Sequence, residues 1–138
     1  MKLELEPTGE RMIEDAYRSS VGAYVIYLMH SASYAFADPY CRGRRVLDLG
    51  CGSGYGSHRI SASAASVVGV DVAEEAIGFA RARYAAPNLE FKQIGQGGRL
   101  LLTMRPSMSC CLSRSSNMLR MTWATCRRPA ASSGQAAC

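Results

Sequence analysis

The residues with the clearest chemical potential are three glycines at alternate positions, Gly50, Gly52 and Gly54. Glycine has no Cβ atom, so a loop of this kind turns tightly and lets a ligand approach the backbone. A short, mainly apolar strand sequence precedes the loop at residues 46–49, and a helix sequence follows it. The first N–H groups of a helix lack intrahelical partners and attract a polar or anionic ligand. The pattern therefore predicts a strand, a glycine turn and a helix that hold a nucleotide-like cofactor.

A carboxylate at a suitable distance supports this interpretation. Asp71 follows Gly50 by 21 positions and ends a β-branched run that contains Val67, Val68 and Val70, which predicts a second strand. An acidic residue about 20 residues beyond a glycine loop is placed to accept hydrogen bonds from ribose hydroxyl groups. We therefore predict that Asp71 binds the ribose of the cofactor.

The elements that must position these residues follow the order of a doubly wound α/β sheet. Residues 73–84 predict a helix with acidic residues in its first turn and basic residues in its last. A third strand is predicted from Leu89, after a turn at Pro87. Helices are expected over residues 10–19 and 22–36. The predicted fold is a truncated Rossmann-like sheet of about three parallel strands with flanking helices.

The spacing of the glycines distinguishes two kinds of cofactor loop. The dehydrogenase pattern G-x-G-x-x-G would require glycine where Tyr55 stands. The chain instead has G-x-G-x-G from Gly50 to Gly54, with Asp48 two residues earlier. In this it resembles the class I S-adenosylmethionine (SAM) dependent methyltransferases of the type 11 kind. A nicotinamide-binding half-domain is the alternative.

The resemblance implies transfer of a methyl group from SAM to a small-molecule or glycan acceptor. It places the glycine loop under the methionine part of SAM and the acidic residue on the ribose, and it assigns no catalytic residue. The cofactor-binding residues that it implies are Asp48, Gly50, Cys51, Gly52, Gly54, Asp71 and Val72.

Several aromatic residues before the loop are candidates to line an acceptor pocket. Helices ahead of the first strand commonly help to form that pocket in the family. Packing is the simpler interpretation, because aromatic side chains at helical spacing usually contact one another or the core. The candidates are Tyr17, Tyr24, Tyr27, His30 and Tyr34.

The chain changes character near residue 95, and three regions are expected: a helical cap over residues 1–43, a SAM-binding half-domain over 44–95 and a basic tail over 96–138. The tail has six arginines and no acidic residue, so it carries a formal charge of +6, whereas residues 1–95 carry −1. Without clear periodicity, the tail is expected to be irregular or disordered. A basic nucleic-acid-binding module is an alternative function, but the tail's one aromatic residue, Trp123, gives base stacking little support.

A shift of reading frame would explain the composition of the tail. Arg-, Ser- and Cys-rich sequence without acids is what a GC-rich coding region yields out of frame. One allowed choice of codons for residues 99–138, read in a shifted frame, gives FDVVL, EVIEH and SEARRVLGPGGL, which resemble later segments of the same family. We therefore predict that the tail is read out of frame and that the chain as written is impaired or an inactive fragment.

Location and metal binding have weaker sequence signals. The first ten residues contain no apolar leader, and residues 21–37 are too short and polar to cross a membrane. The tail cysteines lack the C-x-x-C spacing of zinc sites. We predict a cytoplasmic protein with no membrane partner and no metal.

The reading-frame hypothesis predicts the nucleotide sequence across the codons for residues 91–138. We expect the shifted frame to encode FDVV, EVIEH and EARRVLGPGG without a stop codon. Sequencing the gene checks this directly, and codons that exclude those segments would show that the basic tail is genuine.

Overall fold

The computed structural model describes residues 16–18, 20–95, 110–115 and 118–122. A 3₁₀ turn over Ala16–Arg18 precedes the long helix α1, Val21–Cys41. Ser20 caps this helix, because its side-chain oxygen accepts a hydrogen bond from the backbone N–H of Ala23 at 3.1 Å. Of the predicted helix at residues 10–19, only the turn lies within the described residues.

Helix α1 is longer than predicted and continues through Pro39 to Cys41. Proline lacks the N–H that a helix interior uses and favours a stop. The buried face nevertheless continues past residue 36, since Ala37 and Cys41 follow Tyr34 at helical spacing and are also buried. Packing of that face therefore outweighs the tendency of Pro39 to end the helix.

The predicted strand and helix order from the glycine loop onward is confirmed. Parallel strands require crossover connections, and two helices supply them here. The elements are β1 (Arg45–Leu49), α2 (Tyr55–Ser61), β2 (Ser66–Asp71), α3 (Glu74–Arg83) and β3 (Leu89–Gln93). β1 pairs in parallel with β2, and β2 pairs in parallel with β3.

Two further strands extend the sheet on the other side of β1. They are β4 (Cys110–Ser115), which is parallel to β1, and β5 (Met118–Thr122), which is antiparallel to β4. The strand order is β3-β2-β1-β4-β5. The expectation of an irregular tail over residues 96–138 does not hold for these two segments. Backbone groups along β1 need partners, and a strand can supply them without periodic side chains.

The core lies between the sheet and the helices and draws on nearly every described element. Residue Leu112 of β4 is completely buried together with side chains from both helix and strand segments. The largest fully buried apolar side chains are Tyr34, Val46, Ile60, Val67, Val70, Ile77 and Leu112. No helix in the described part of the chain is long and apolar enough to cross a membrane.

Replacing Leu112 with alanine tests whether β4 belongs to the core. Because Leu112 is 0% exposed, Leu112→Ala should lower the free energy of unfolding by about 2–5 kcal/mol. The matched control is Leu28→Ala on α1, where the leucine is 46% exposed and the expected loss is much smaller. Urea unfolding followed by circular dichroism measures both, and equal losses would contradict the placement of β4.

Candidate functional site

The loop that joins β1 to α2 depends on glycine for its backbone conformation. Gly50, Gly52 and Gly54 have φ values of 75°, 55° and 84°, in the left-handed region that other residues rarely adopt. Space is limited as well at Gly54, where an added Cβ would lie 2.7 Å from the Cβ of Ala80. The glycine spacing found in the sequence is therefore required by the shape of the loop.

Backbone hydrogen bonds fix this loop against the end of β2. The N–H groups of Gly50 and Cys51 both donate to the carbonyl oxygen of Val70, at 2.8 and 3.0 Å. Within the loop, the N–H of Gly54 donates to the carbonyl oxygen of Cys51 at 3.0 Å. The loop thus lies at the carboxyl edge of neighbouring parallel strands, where open α/β sheets bind their ligands.

Asp71, the last residue of β2, is hydrogen-bonded to the glycine loop. Its Oδ2 accepts a hydrogen bond from the N–H of Gly52, and its Oδ1 accepts one from the N–H of Ala73, both at 2.9 Å. These bonds orient a partly exposed carboxylate beside the loop. The structure thus brings two residues 19 positions apart into contact, a contact that the sequence analysis did not predict.

Asp48 has a different environment, because it is completely buried. Its Oδ2 accepts hydrogen bonds from the hydroxyl groups of Ser57, at 2.6 Å, and of Tyr34, at 3.0 Å. A carboxylate shielded from water needs such donors to offset the loss of hydration. Asp48 therefore supports the start of the loop from within the core.

Two other predicted site residues, Cys51 and Val72, differ in their exposure to solvent. Cys51 is a buried cysteine inside the loop, consistent with a small packing side chain. Val72 follows Asp71 and is 48% exposed, so an apolar side chain stands open beside the carboxylate. No group of three potential metal ligands occurs among the residues that the structure describes.

The aromatic candidates before the loop divide between packing and surface positions. Tyr34 and His30 are buried, so neither lines an open pocket. The ring of Tyr17 contacts those of Tyr27 and Tyr24, with centroids 4.8 and 6.1 Å apart. Packing against one another explains these three tyrosines without an acceptor.

Sequence reasoning missed the roles of two hydroxyl groups at this site. The bond from Ser57 to Asp48 had no signal beyond the position of Ser57 in the first turn of α2. The sequence makes Tyr34 an acceptor-pocket candidate, yet its hydroxyl donates to Asp48, 14 residues away in the chain. Such a contact depends on how α1 packs, which local patterns do not specify.

More than half of the chain matches one known protein family. Residues 46–128 match the family described as "Methyltransferase domain". This range begins in β1 and runs past the end of β5, so it contains the loop, Asp71 and all five strands except the first residue of β1.

Curated relatives agree with the family match. A probable S-adenosylmethionine-dependent methyltransferase of Mycobacterium tuberculosis is 38% identical over 86 residues, which cover 62% of this chain and 29% of that protein. The ubiquinone biosynthesis O-methyltransferase of Aromatoleum aromaticum is 51% identical over 39 residues, or 28% of this chain and 17% of that protein. The chain thus spans less than a third of the length of these relatives.

Solved structures agree on the fold. An S-adenosylmethionine-dependent methyltransferase from Mesorhizobium loti has a TM-score of 0.52 at 23% identity, covering 62% of this chain and 38% of that one. A TehB-like SAM-dependent methyltransferase from Corynebacterium glutamicum has a TM-score of 0.51 at 19% identity, covering 71% and 55%. The chain therefore belongs to the methyltransferase domain family, with the class I Rossmann-like fold and with SAM as the family's cofactor.

Proposed function

We propose that this chain binds SAM and acts in the transfer of its methyl group to a small-molecule or glycan acceptor. The observation that carries the proposal is the hydrogen bond from Gly52 to Asp71, which joins the glycine loop to the carboxylate at the end of β2. In this proposal residues 44–95 hold the cofactor, residues 1–43 are the cap region, and residues 96–138 are the basic tail, from which β4 and β5 extend the sheet.

Asp71 is the residue that we assign to the ribose. A carboxylate has about four lone-pair positions, and the bonds to Gly52 and Ala73 use one on each oxygen. Acceptor capacity therefore remains for two ribose hydroxyl groups. Hydrogen bonds to an ionised acceptor are stronger than those between neutral groups, which suits a position that anchors the cofactor.

The neighbouring positions suit the other parts of the same molecule. The three glycines of the loop have no side chains, which lets the methionine part approach the backbone closely at those positions. Val72 offers an exposed apolar surface beside Asp71, which suits the flat face of the adenine ring of SAM. When bound, SAM supplies a methyl group on a positively charged sulfonium sulfur for attack by an acceptor nucleophile. The chain's part in this step is to fix the cofactor in position.

The acceptor class rests on one relative and on the resemblance described above. The Aromatoleum aromaticum protein is named for O-methylation in ubiquinone biosynthesis, which favours a hydroxyl group on a small molecule. A glycan hydroxyl has the same nucleophilic oxygen. We infer an oxygen nucleophile, and no described side chain is assigned as its general base.

We also propose that SAM binding by the chain as written is weak. The resemblance expects an acidic residue for the adenine after the third strand, whereas Ile94 and Gly95 follow β3. One missing charged hydrogen bond corresponds to about 1.5–3 kcal/mol, or about ten- to a hundredfold in affinity.

The proposal predicts that SAM binding depends on the charge of Asp71. Calorimetric titration of the purified chain with SAM should give a dissociation constant weaker than micromolar, and Asp71→Asn should weaken binding about tenfold or more, because the amide cannot replace a charged acceptor. The matched control is Glu90→Gln on β3, which removes an exposed carboxylate paired with Lys92 at 3.2 Å and should leave binding unchanged.

Two results would contradict this proposal. Equal SAM affinity in the wild-type and Asp71→Asn chains would remove Asp71 from the cofactor site. Binding of a nicotinamide dinucleotide in place of SAM would favour the alternative interpretation of the glycine loop.

A further inference from the structure

Two hydroxyl groups from different helices donate to one oxygen atom of Asp48, which lies on β1. The hydroxyl of Tyr34, from α1, and the hydroxyl of Ser57, from α2, both donate to Oδ2 of Asp48, at 3.0 and 2.6 Å. All three residues are completely buried. The contact therefore links two helices and the central strand among side chains shielded from solvent, where hydrogen bonds are electrostatically stronger.

Asp48 and Ser57 lie on either side of the glycine loop in the sequence. Asp48 lies two residues before Gly50, and Ser57 lies three residues after Gly54. A bond between Asp48 and Ser57 therefore joins the residues on either side of the loop. The hydroxyl of Tyr34 is a second donor to the same carboxylate oxygen, and it comes from a helix outside the loop and its flanking elements.

The ring of Tyr34 reaches this position because Gly56 has no side chain. A Cβ atom at Gly56 would lie 2.0 Å from the Cζ atom of Tyr34 and 2.1 Å from its Cε2 atom. Tyr55 adds an edge-on ring contact with Tyr34, with centroids 5.7 Å apart and planes at 74°. Helix α1 thus docks on the first turn of α2, and this docking directs the tyrosine hydroxyl at Asp48.

We propose that Tyr34 is a positioning residue for the cofactor site. Its hydroxyl, together with that of Ser57, fixes Asp48 and so fixes both ends of the loop from Gly50 to Gly54. The docking of α1 thereby sets the affinity for SAM. Tyr34 lies outside residues 46–128, which the family match covers. The inference rests on the proposed function, because it names what positions that same loop.

The experiment removes one hydroxyl group and keeps the ring. Tyr34→Phe should weaken SAM binding about tenfold, as expected for loss of a hydrogen bond to a charged group. It should also speed amide hydrogen exchange at residues 50–57 more than at β2 and β3, because the loop loses its support. Ser57→Ala should have the same local effect, and the double variant should lose less than the two single losses combined.

Two control variants separate positioning from general loss of stability. Tyr40→Phe makes the same chemical change on α1 at a side chain that is 43% exposed, and it should leave affinity and exchange unchanged. Ile77→Val shortens a buried side chain of α3. It should speed amide hydrogen exchange in β2 and β3 as much as at residues 50–57.

Failure of this inference and failure of the proposed function give different results. Unchanged SAM affinity in Tyr34→Phe, or a rise in exchange spread evenly as in Ile77→Val, would overturn the inference. If the wild-type chain binds no SAM, the proposed function fails. In that case selective exchange at residues 50–57 would still support the role of Tyr34 in positioning the loop, and unchanged exchange there would overturn it.

Discussion

The burial of the Asp48 carboxylate constrains the arrangement of the elements around it. A carboxylate without solvent contact is stable only where donors surround it, and two of them are the hydroxyl groups of Tyr34 and Ser57. Supplying these donors brings α1 and α2 onto the end of β1, where the glycine loop begins. The same contact therefore joins both helices to the strand from which the candidate cofactor loop begins.

The central position of β1 in the sheet provides the second constraint. β1 has a parallel neighbour on each side, β2 and β4, so its backbone groups have partners along both edges. The loop after β1 and the carboxylate at the end of β2 then lie at one edge of the sheet. The hydrogen bond between Gly52 and Asp71 is a consequence of this adjacency.

Local patterns predicted one half of this molecule much better than the other. The loop from Gly50 to Gly54 and the position of Asp71 at the end of the second strand follow from backbone freedom and a fixed spacing, both of which can be read from the sequence. The hydrogen bond between Gly52 and Asp71 was not predicted. β4 and β5 were not predicted, because arginine, serine and cysteine give no strand periodicity and the ladder with β1 depends on distant backbone. The match to the methyltransferase family reaches residue 128, beyond both strands. The reading-frame hypothesis stays a prediction about the gene.

The sequence by itself determined the strand, glycine loop and helix, the second strand that ends at Asp71, and the family resemblance that these residues carry. Neighbouring residues interact through the short-range geometry of the backbone, so their order and spacing were sufficient. Tertiary structure alone decided that Tyr34 turns inward to Asp48 and that Leu112 enters the core. Those contacts join residues far apart in the chain, and they form only because burial and hydrogen bonding across the whole sheet favour them together.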